Sequence, residues 1–380
     1  MSARAIKHNS SSMIGLDIGS TGVRAVRLIV EDGIQRIAAT ASVKCSLPGL
    51  MELKIGHVLN EIASSSEVDL STKSESVVIG FSDCLRESTG GIIRISSRPD
   101  CITHKHVHSV VEAAHDIRFR SVLDRDIISF EVDEQRGIAN PLGMSGINLS
   151  VYAKIITTNR KQLISAVAAC KKAKLKIICK TSSTLALANT YLSVEELESG
   201  VCLLDIGGKF NTMAIYKSGK LYGISFLYMT GNLLTDRIAA RMKVKESEAE
   251  KLKIDYANGS LDLAGSGQTG MISLRAEVNS WTEKLCKALK KGLTPDNDTE
   301  NEIEPLSENL VTGIVLTGRS SKFPGLQDSI QSSLGVPVRH GVIHGVDGLD
   351  GISQEYASSI SLALKGLKGV SSAGVFIEKK

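Results

Sequence analysis

Apolar positions along this chain follow two spacings: short unbroken runs bounded by Gly, Asp or Asn, and stripes recurring every three to four residues. The runs predict strands and the stripes predict helices. Val201–Leu204 is such a run. It ends on Asp205, turns through Ile206, Gly207 and Gly208, and continues as Thr212–Tyr216 into a tight Ser218-Gly219 turn. That pattern predicts strands joined by hairpins. The segment Met13–Val30 repeats it, with Asp17, Gly19, Ser20, Thr21 and Gly22 in the matching places. One strand–Asp–Gly–turn–strand unit occurring twice predicts a duplicated fold with one such hairpin in each half.

The remaining chain supplies α/β elements around these hairpins. Asp32-Gly33 is a hairpin turn leading to a strand at Ile34–Val43. Leu53–Ile62 has helical spacing, and after a Ser-rich loop Ser76–Phe81 reads as a buried strand. Strands at Gly90–Ile95, Asp126–Val132 and Leu149–Thr157, a helix at Thr103–His115 and a loop-like Gln135–Asn148 read as a small inserted α/β unit. Helices follow at Lys161–Lys172, Leu185–Leu192, Asn232–Arg241 and Glu246–Asn258, with a strand at Leu175–Cys179. Gly259–Gly270 reads as a flexible loop, Ile272–Leu293 as a long helix and Thr294–Asn309 as a solvated acidic loop. A strand at Gly313–Thr317 enters a Gly-bearing loop ending at Gly325. Helices at Leu326–Leu334 and Tyr356–Leu367, with a strand at Val336–Arg339, complete the chain.

At 380 residues the chain predicts two domains or more. A net charge of +4 without dense basic blocks argues against nucleic acid. Seven scattered cysteines with no C-x-x-C pair signal neither a disulfide framework nor a zinc site, and point to a reducing, cytoplasmic setting. No run approaches a membrane span, and the first dozen residues lack an apolar signal core. His104, His106 and His108 alternate at a helix start, where helical spacing spreads them apart rather than gathering them on a metal.

The chemistry of the hairpins is anion binding. Backbone N–H groups of Gly-rich turns can converge on phosphate oxygens. Two facing turns would hold a triphosphate from both sides. Asp17 and Asp205, each ending a first strand, are placed to hold Mg²⁺ through its retained waters. For any single turn the bland reading is an ordinary hairpin with an Asp cap; two turns, plus the strand–loop–helix at Thr317–Gly325, favour the functional one.

These three elements, in this order, resemble the nucleotide-binding segments of the actin/Hsp70/sugar-kinase superfamily. The stretch RDIISFEVDEQRGIANPLGMSGINLSVYAKIIT, the later DIGGKFNTMAIYKSGKLYGISFLYMTGNLLTDRIAARMKVKESEAEKLKIDYA, VLTGRSSKFPGL and QEYASSISLALKGL narrow the resemblance to FtsA, the bacterial actin-like cell-division family. It covers about Met13 to Gly366.

The resemblance implies an actin-like ATPase fold of two duplicated domains around a nucleotide cleft. Residues 13–82, 159–195 and 340–367 would form subdomain 1A, and 83–158 the inserted subdomain 1C. Residues 196–229 and 310–339 would form 2A and 230–309 subdomain 2B, with flexible tails at 1–12 and 368–380. It implies ATP and Mg²⁺ as cofactors and at most weak ATPase activity, with no catalytic residue assigned. It implies self-association into filaments, binding of the FtsZ C-terminal tail through 2B, and recruitment of later divisome proteins through 1C. The setting would be the cytoplasmic face of the inner membrane at the division site.

By the family motif, Asp17, Gly19, Ser20 and Thr21 form the first phosphate loop and Asp205, Gly207 and Gly208 the second. Glu250 and Lys253 fall at the adenosine, and Gly318 opens the loop lying against it. For Glu250 a capping box with Ser247 is the alternative. Three positions depart from the pattern. Gly22 stands where the family often has a phosphate-contacting Lys, Lys209 where a Gly is common, and Arg319-Ser320 where two glycines are usual. Lys209 either takes over the missing cation's role or points to solvent. Arg319 either contacts the nucleotide or obstructs it, which keeps a nucleotide-free pseudo-ATPase open. The basic helix Arg275–Lys291, bearing Arg275, Lys284 and Lys287, is either a dock for an acidic tail or a solvated helix face. Only VSSAGVFIEKK follows the last helix, which implies weak or indirect membrane contact. A pilus-assembly-type adaptor and a small-molecule kinase of the same superfamily are the alternative functions.

Overall fold

A computed structural model of the chain describes residues 11–44, 51–65, 75–114, 120–260, 263–293, 312–349, 352 and 354–369. The predicted solvated loop Thr294–Asn309, most of the Ser-rich loop and most of the predicted tails lie outside them; Ser11 and Ser12, however, belong to the first strand, and Lys368 caps the last helix. In chain order the elements are β1 (Ser11–Ile18), β2 (Gly22–Glu31), β3 (Ile34–Lys44), α1 (Met51–Ser64) and β4 (Ser76–Phe81). Then come β5 (Leu85–Arg94), β6 (Asp100–Cys101), α2 (His104–Ala113), β7 (Arg120–Val132), β8 (Gln135–Ile138), β9 (Ser145–Gly146) and β10 (Asn148–Asn159). After these follow α3 (Arg160–Lys172), β11 (Lys176–Ser182), α4 (Ser183–Tyr191), α5 (Val194–Ser199), β12 (Val201–Ile206), β13 (Asn211–Lys217) and β14 (Lys220–Leu227). The remainder is α6 (Gly231–Met242), α7 (Glu246–Ala257), α8 (Leu263–Gly292), β15 (Gly313–Thr317), α9 (Leu326–Leu334), β16 (Val338–His340), β17 (Val346–Asp347) and α10 (Ala357–Leu367).

The duplication is explicit in the sheets. One has the order β11-β4-β1-β2-β3-β17 and the other β14-β13-β12-β15-β16. In each, a leading strand pairs antiparallel with its hairpin partner and parallel with a later strand, so β1, β2, β3, β4 and β11 correspond to β12, β13, β14, β15 and β16. Strands covered on both faces read as unbroken apolar runs, which is why β1, β4, β12 and β15 stood out in the sequence. α10 covers the first sheet so closely that its backbone meets β1: a Cβ on Gly15 would sit 1.8 Å from the carbonyl oxygen of Ser359. In the second half the core gathers on fully buried Trp281, with Leu234, Ile238, Leu274, Ile330 and Phe323 around it. α8 delivers Trp281 on the stripe Leu274, Val278, Trp281, Leu285 and Leu289, all buried at helical spacing.

The insert is a third sheet, β5-β10-β7-β8, with α2 laid on it and its own core of Ile102, Val110, Phe130, Val132, Leu149 and Val151. Asp83 anchors it: its carboxylate accepts from the Thr158 hydroxyl (2.5 Å) and the Asn159 N–H (3.2 Å), and its carbonyl accepts from Arg120 (2.6 Å).

Two local expectations need correction, and one of the helix-start histidines gains a role. Gln135–Asn148 is not all loop, since it contains β8 and β9; strands of four and two residues carry no readable period. Gly259–Gly270 is not all loop either, because α8 begins at Leu263. Extending an existing helix needs no new nucleus, which offsets the cost of its glycines. His106 serves the start of α2, closing a capping box with Thr103 through its ring nitrogen at 3.3 Å.

Candidate nucleotide cleft

The two hairpin turns face each other. Asp17 ends β1 in register with Arg24 of β2, and Asp205 sits near the end of β12 in register with Thr212 and Thr317. The first turn closes on itself, Gly19 N–H donating to Gly22 C=O at 2.9 Å, and presents Ser20 and Thr21 at its tip. The second turn is braced from behind: Gly207 N–H donates to the Asn211 side chain (3.1 Å), whose amide in turn donates to Met229 C=O (2.8 Å). The carbonyls of Gly207 and Gly208 accept the N–H groups of Gly231 and Asn232 at the start of α6. At Gly208 the turns touch, because a Cβ there would lie 2.4 Å from the Thr21 methyl. Asp17, Thr21, Asp205 and Gly208 are therefore brought together across the two halves.

Consecutive hydroxyls at the start of α4 hold the two carboxylates. Ser183 donates to Asp17 at 2.5 Å and Thr184 to Asp205 at 3.2 Å. The helix N-terminus adds a favourable positive dipole end. Burial still raises the Asp17 carboxyl above its ordinary value against the Ser183 bond and the Arg24 charge. Burial, and then the negative charge of Asp17, push Asp205 up to about 6. A hydrated divalent cation near these two buried carboxylates would favour their charged forms.

The adenosine-side candidates divide. Lys253 is buried and donates to Glu250 (2.5 Å), the Thr235 hydroxyl (2.7 Å) and Gly231 C=O (3.1 Å), so it is a brace under α6. Burial would raise Glu250, but its bonds to Lys253 and Thr235 prevail and hold it below the usual carboxylate range. On the partner side burial prevails, lowering Lys253. Glu250 leaves 41% of its side chain open. The capping-box alternative does not form, since α7 starts at Glu246 and Glu250 bonds Thr235 instead.

Gly318 has φ 86°, and a Cβ there would meet Ile206 C=O at 2.4 Å and the Asp205 carboxylate at 2.6 Å, so only glycine fits. Arg319 then reaches back across the cleft, its guanidinium donating to the Thr21 hydroxyl at 2.8 Å. Lys209 is exposed and has no polar partner among the described residues. Sequence reasoning missed Ser183, Thr184, Arg24 and Glu355. Ser183 and Thr184 stand just before an apolar helical stripe, and nothing local ties their hydroxyls to Asp17 or Asp205. Arg24, buried within an apolar strand, was the overlooked signal, because a buried charge demands a partner. No helix among the described residues is long and apolar enough to cross a membrane.

The fold has known relatives. A chain of the "PilM-PilN type IV pilus biogenesis complex" superposes with TM-score 0.61 at 19% identity, covering 93% of this chain and 98% of that one. The structure titled "Crystal structure of MreB 5 of Spiroplasma citri bound to AMPPNP" superposes with TM-score 0.51 at 12% identity, covering 94% and 97%. These likenesses show the actin-like fold. In sequence, the cell division protein FtsA of Pseudomonas aeruginosa is 26% identical over 379 residues, covering 94% of this chain and 89% of the relative. FtsA of Escherichia coli K12 is 26% identical over 397 residues, covering 97% and 93%. Residues 86–157 match the family described as "SHS2 domain inserted in FTSA", and residues 202–361 match "Cell division protein FtsA". The duplicated hairpins, the inserted sheet and these matches agree: the chain belongs to the FtsA family of cell division proteins.

Proposed function

We propose that the chain is an ATP-binding, filament-forming division scaffold that binds the FtsZ C-terminal tail and recruits later divisome proteins. The observation that carries the nucleotide reading is the convergence of two hairpins on one pair of neighbouring hydroxyls, with both carboxyls raised by burial. The turns at Gly19–Gly22 and Ile206–Gly208 would receive the phosphates, and Asp17 and Asp205 would hold Mg²⁺ through its waters. Bound Mg²⁺ would supply charge neutralisation for the polyphosphate. Glu250 and Gly318 flank the adenosine side, and Lys253 fixes Glu250. Asn211 next to the second turn is engaged in bracing it, which favours holding a nucleotide over transferring its phosphate.

The tail of FtsZ would dock on the second half, in the region 230–309, where Arg275, Lys284 and Lys287 of α8 are exposed. Membrane contact would be weak or indirect, and the insert would carry the recruiting surface. The test is calorimetric titration with the FtsZ C-terminal peptide, with and without ATP. Binding is expected, and absence of binding in both states would remove the scaffold reading in favour of an adaptor for another peptide.

Lys209 offers a separate check. An exposed cation near a phosphate contributes about 1 kcal/mol after screening, or about fivefold in affinity. Lys209→Ala is expected to weaken ATP binding by about that factor. Unchanged affinity would mean that the side chain serves the solvent face.

A further inference from the structure

Arg319 stands where glycine is usual in the family pattern, and its surroundings give that departure a purpose. Gly318 is pinned against Ile206 and Asp205, so the guanidinium is launched from a fixed point on the second half. It ends on the first half, at the Thr21 hydroxyl. Beside it, 3.9 Å from the guanidinium, lies the Glu355 carboxylate, which also accepts from Arg24 at 3.4 Å. Arg24 passes under the first turn, its terminal nitrogens 3.6 and 3.5 Å from where Cβ atoms of Gly19 and Gly22 would be. Two guanidinium groups thus share one carboxylate at the lip of the phosphate turn. Arg24 also faces Asp17, and Arg319 feels the more distant Glu250. Partial burial, and then the like charge of Arg24, hold the Arg319 guanidinium below its ordinary value, although 46% of its side chain stays open to solvent. At the lip two guanidinium groups lean on one shared carboxylate, which leaves Arg319 donor capacity for a phosphate. The lip is where the family lysine is missing, because Gly22 has no side chain to offer.

We propose that Arg319, backed by Arg24 and Glu355, is the cleft's cation for the outermost phosphate of a nucleoside triphosphate, and that it engages that phosphate by releasing Thr21. The inference rests on the nucleotide reading above. A planar guanidinium presents two parallel donors to a phosphate and only one to a hydroxyl, so the exchange favours the phosphate. A diphosphate lacks the outer group and leaves Arg319 on Thr21. The exchange therefore couples the number of phosphates to the one side-chain bond that crosses from the 318–323 segment to the first turn.

The chain carries its own reporter. Trp281 is its single tryptophan, and its ring lies 5.5 Å from that of Phe323, at the end of the segment that Arg319 begins. Displacement of that segment alters the packing on Trp281.

The experiment titrates the full chain with Mg-ATP and Mg-ADP by calorimetry and by tryptophan fluorescence, comparing the native protein with R319A, R319K and E355Q. Folding is checked by circular dichroism. R319A is expected to lose about tenfold in ATP affinity and less than threefold for ADP, as for loss of a charge-assisted bidentate contact. R319K should fall between R319A and the native chain, because a point charge replaces the fork. E355Q should bind ATP more tightly, since both guanidinium groups lose a competing carboxylate. ATP, but not ADP, should change the Trp281 emission in the native chain and not in R319A. If R319A binds ATP as well as or better than the native chain, Arg319 is an obstruction and the proposal is overturned. If E355Q weakens ATP binding, the cluster acts only as a brace, and the proposal is again overturned. If the native chain binds neither nucleotide, the nucleotide reading fails and this inference fails with it.

Discussion

Asp205→Asn is expected to raise the apparent melting temperature by about 5 °C at pH 7.5 and to give no gain at pH 4. The reason is the cost of ionising a buried carboxylate, to which the negative charge of Asp17 adds. Its ordinary value is 3.8 and its value in the folded chain is about 6. Below pH 4 both the folded and unfolded forms hold the proton, and Asn changes little. Between pH 4 and 6 the unfolded chain ionises first, so folded stability falls with rising pH. Above pH 6 the folded carboxylate is charged as well and the penalty is complete, about 3 kcal/mol at 1.36 kcal/mol per pH unit. Asn keeps an oxygen to accept from Thr184 and removes the charge. The same variant should lose the Mg²⁺ enhancement of nucleotide binding, so stability and function move in opposite directions. Scanning calorimetry at the two pH values decides it, and an unchanged or lower melting temperature at pH 7.5 would show that ionising Asp205 costs the folded chain nothing.

Gly15→Ala is expected to abolish stable folding of the first half. The added methyl would lie 1.8 Å from Ser359 C=O and 2.7 Å from Ala363 N–H. Both are backbone atoms of α10, so no side chain can rotate away, and β1 sits between β2 and β4 with no room to retreat. Ordinary overpacking costs about 1–3 kcal/mol; a backbone clash between a central strand and its covering helix exceeds that and takes the domain near or past its total stability. Gly56 of α1 is the control, with nothing within 4 Å of the added atom, and Gly56→Ala should be neutral or stabilising by up to about 1 kcal/mol. The measurement is soluble yield together with chemical denaturation. A Gly15→Ala protein that unfolds at the native denaturant concentration would mean that α10 can shift off the sheet without cost.

What could be read in the sequence, and what could not, divides along the range of the interactions. The hairpins were legible because an Asp-Gly turn between apolar runs is a local signal, and its recurrence at Asp17 and Asp205 exposed the duplication. The insert was legible from its change in character. The pairing of Ser183 with Asp17 spans 166 residues and that of Arg319 with Thr21 spans 298, and no local pattern carries such contacts. Glu250 illustrates the limit in miniature. Its spacing from Ser247 matched a capping box, yet the helix starts at Glu246 and tertiary bonds to Thr235 and Lys253 claim the carboxylate. The bonds of Lys253 to Glu250, Thr235 and Gly231 likewise come from chain folding that its position in the sequence does not signal.

Ser183 and Thr184 are neighbours, with α carbons about 3.8 Å apart. Each grips the aspartate of a different half. The two halves are thus tied to adjacent links of a single chain, so a shift at the start of α4 would move the partners of both aspartates together. The buried cluster of Leu187, Ala188 and Tyr191 with Val201, Leu203 and Val315 continues that junction.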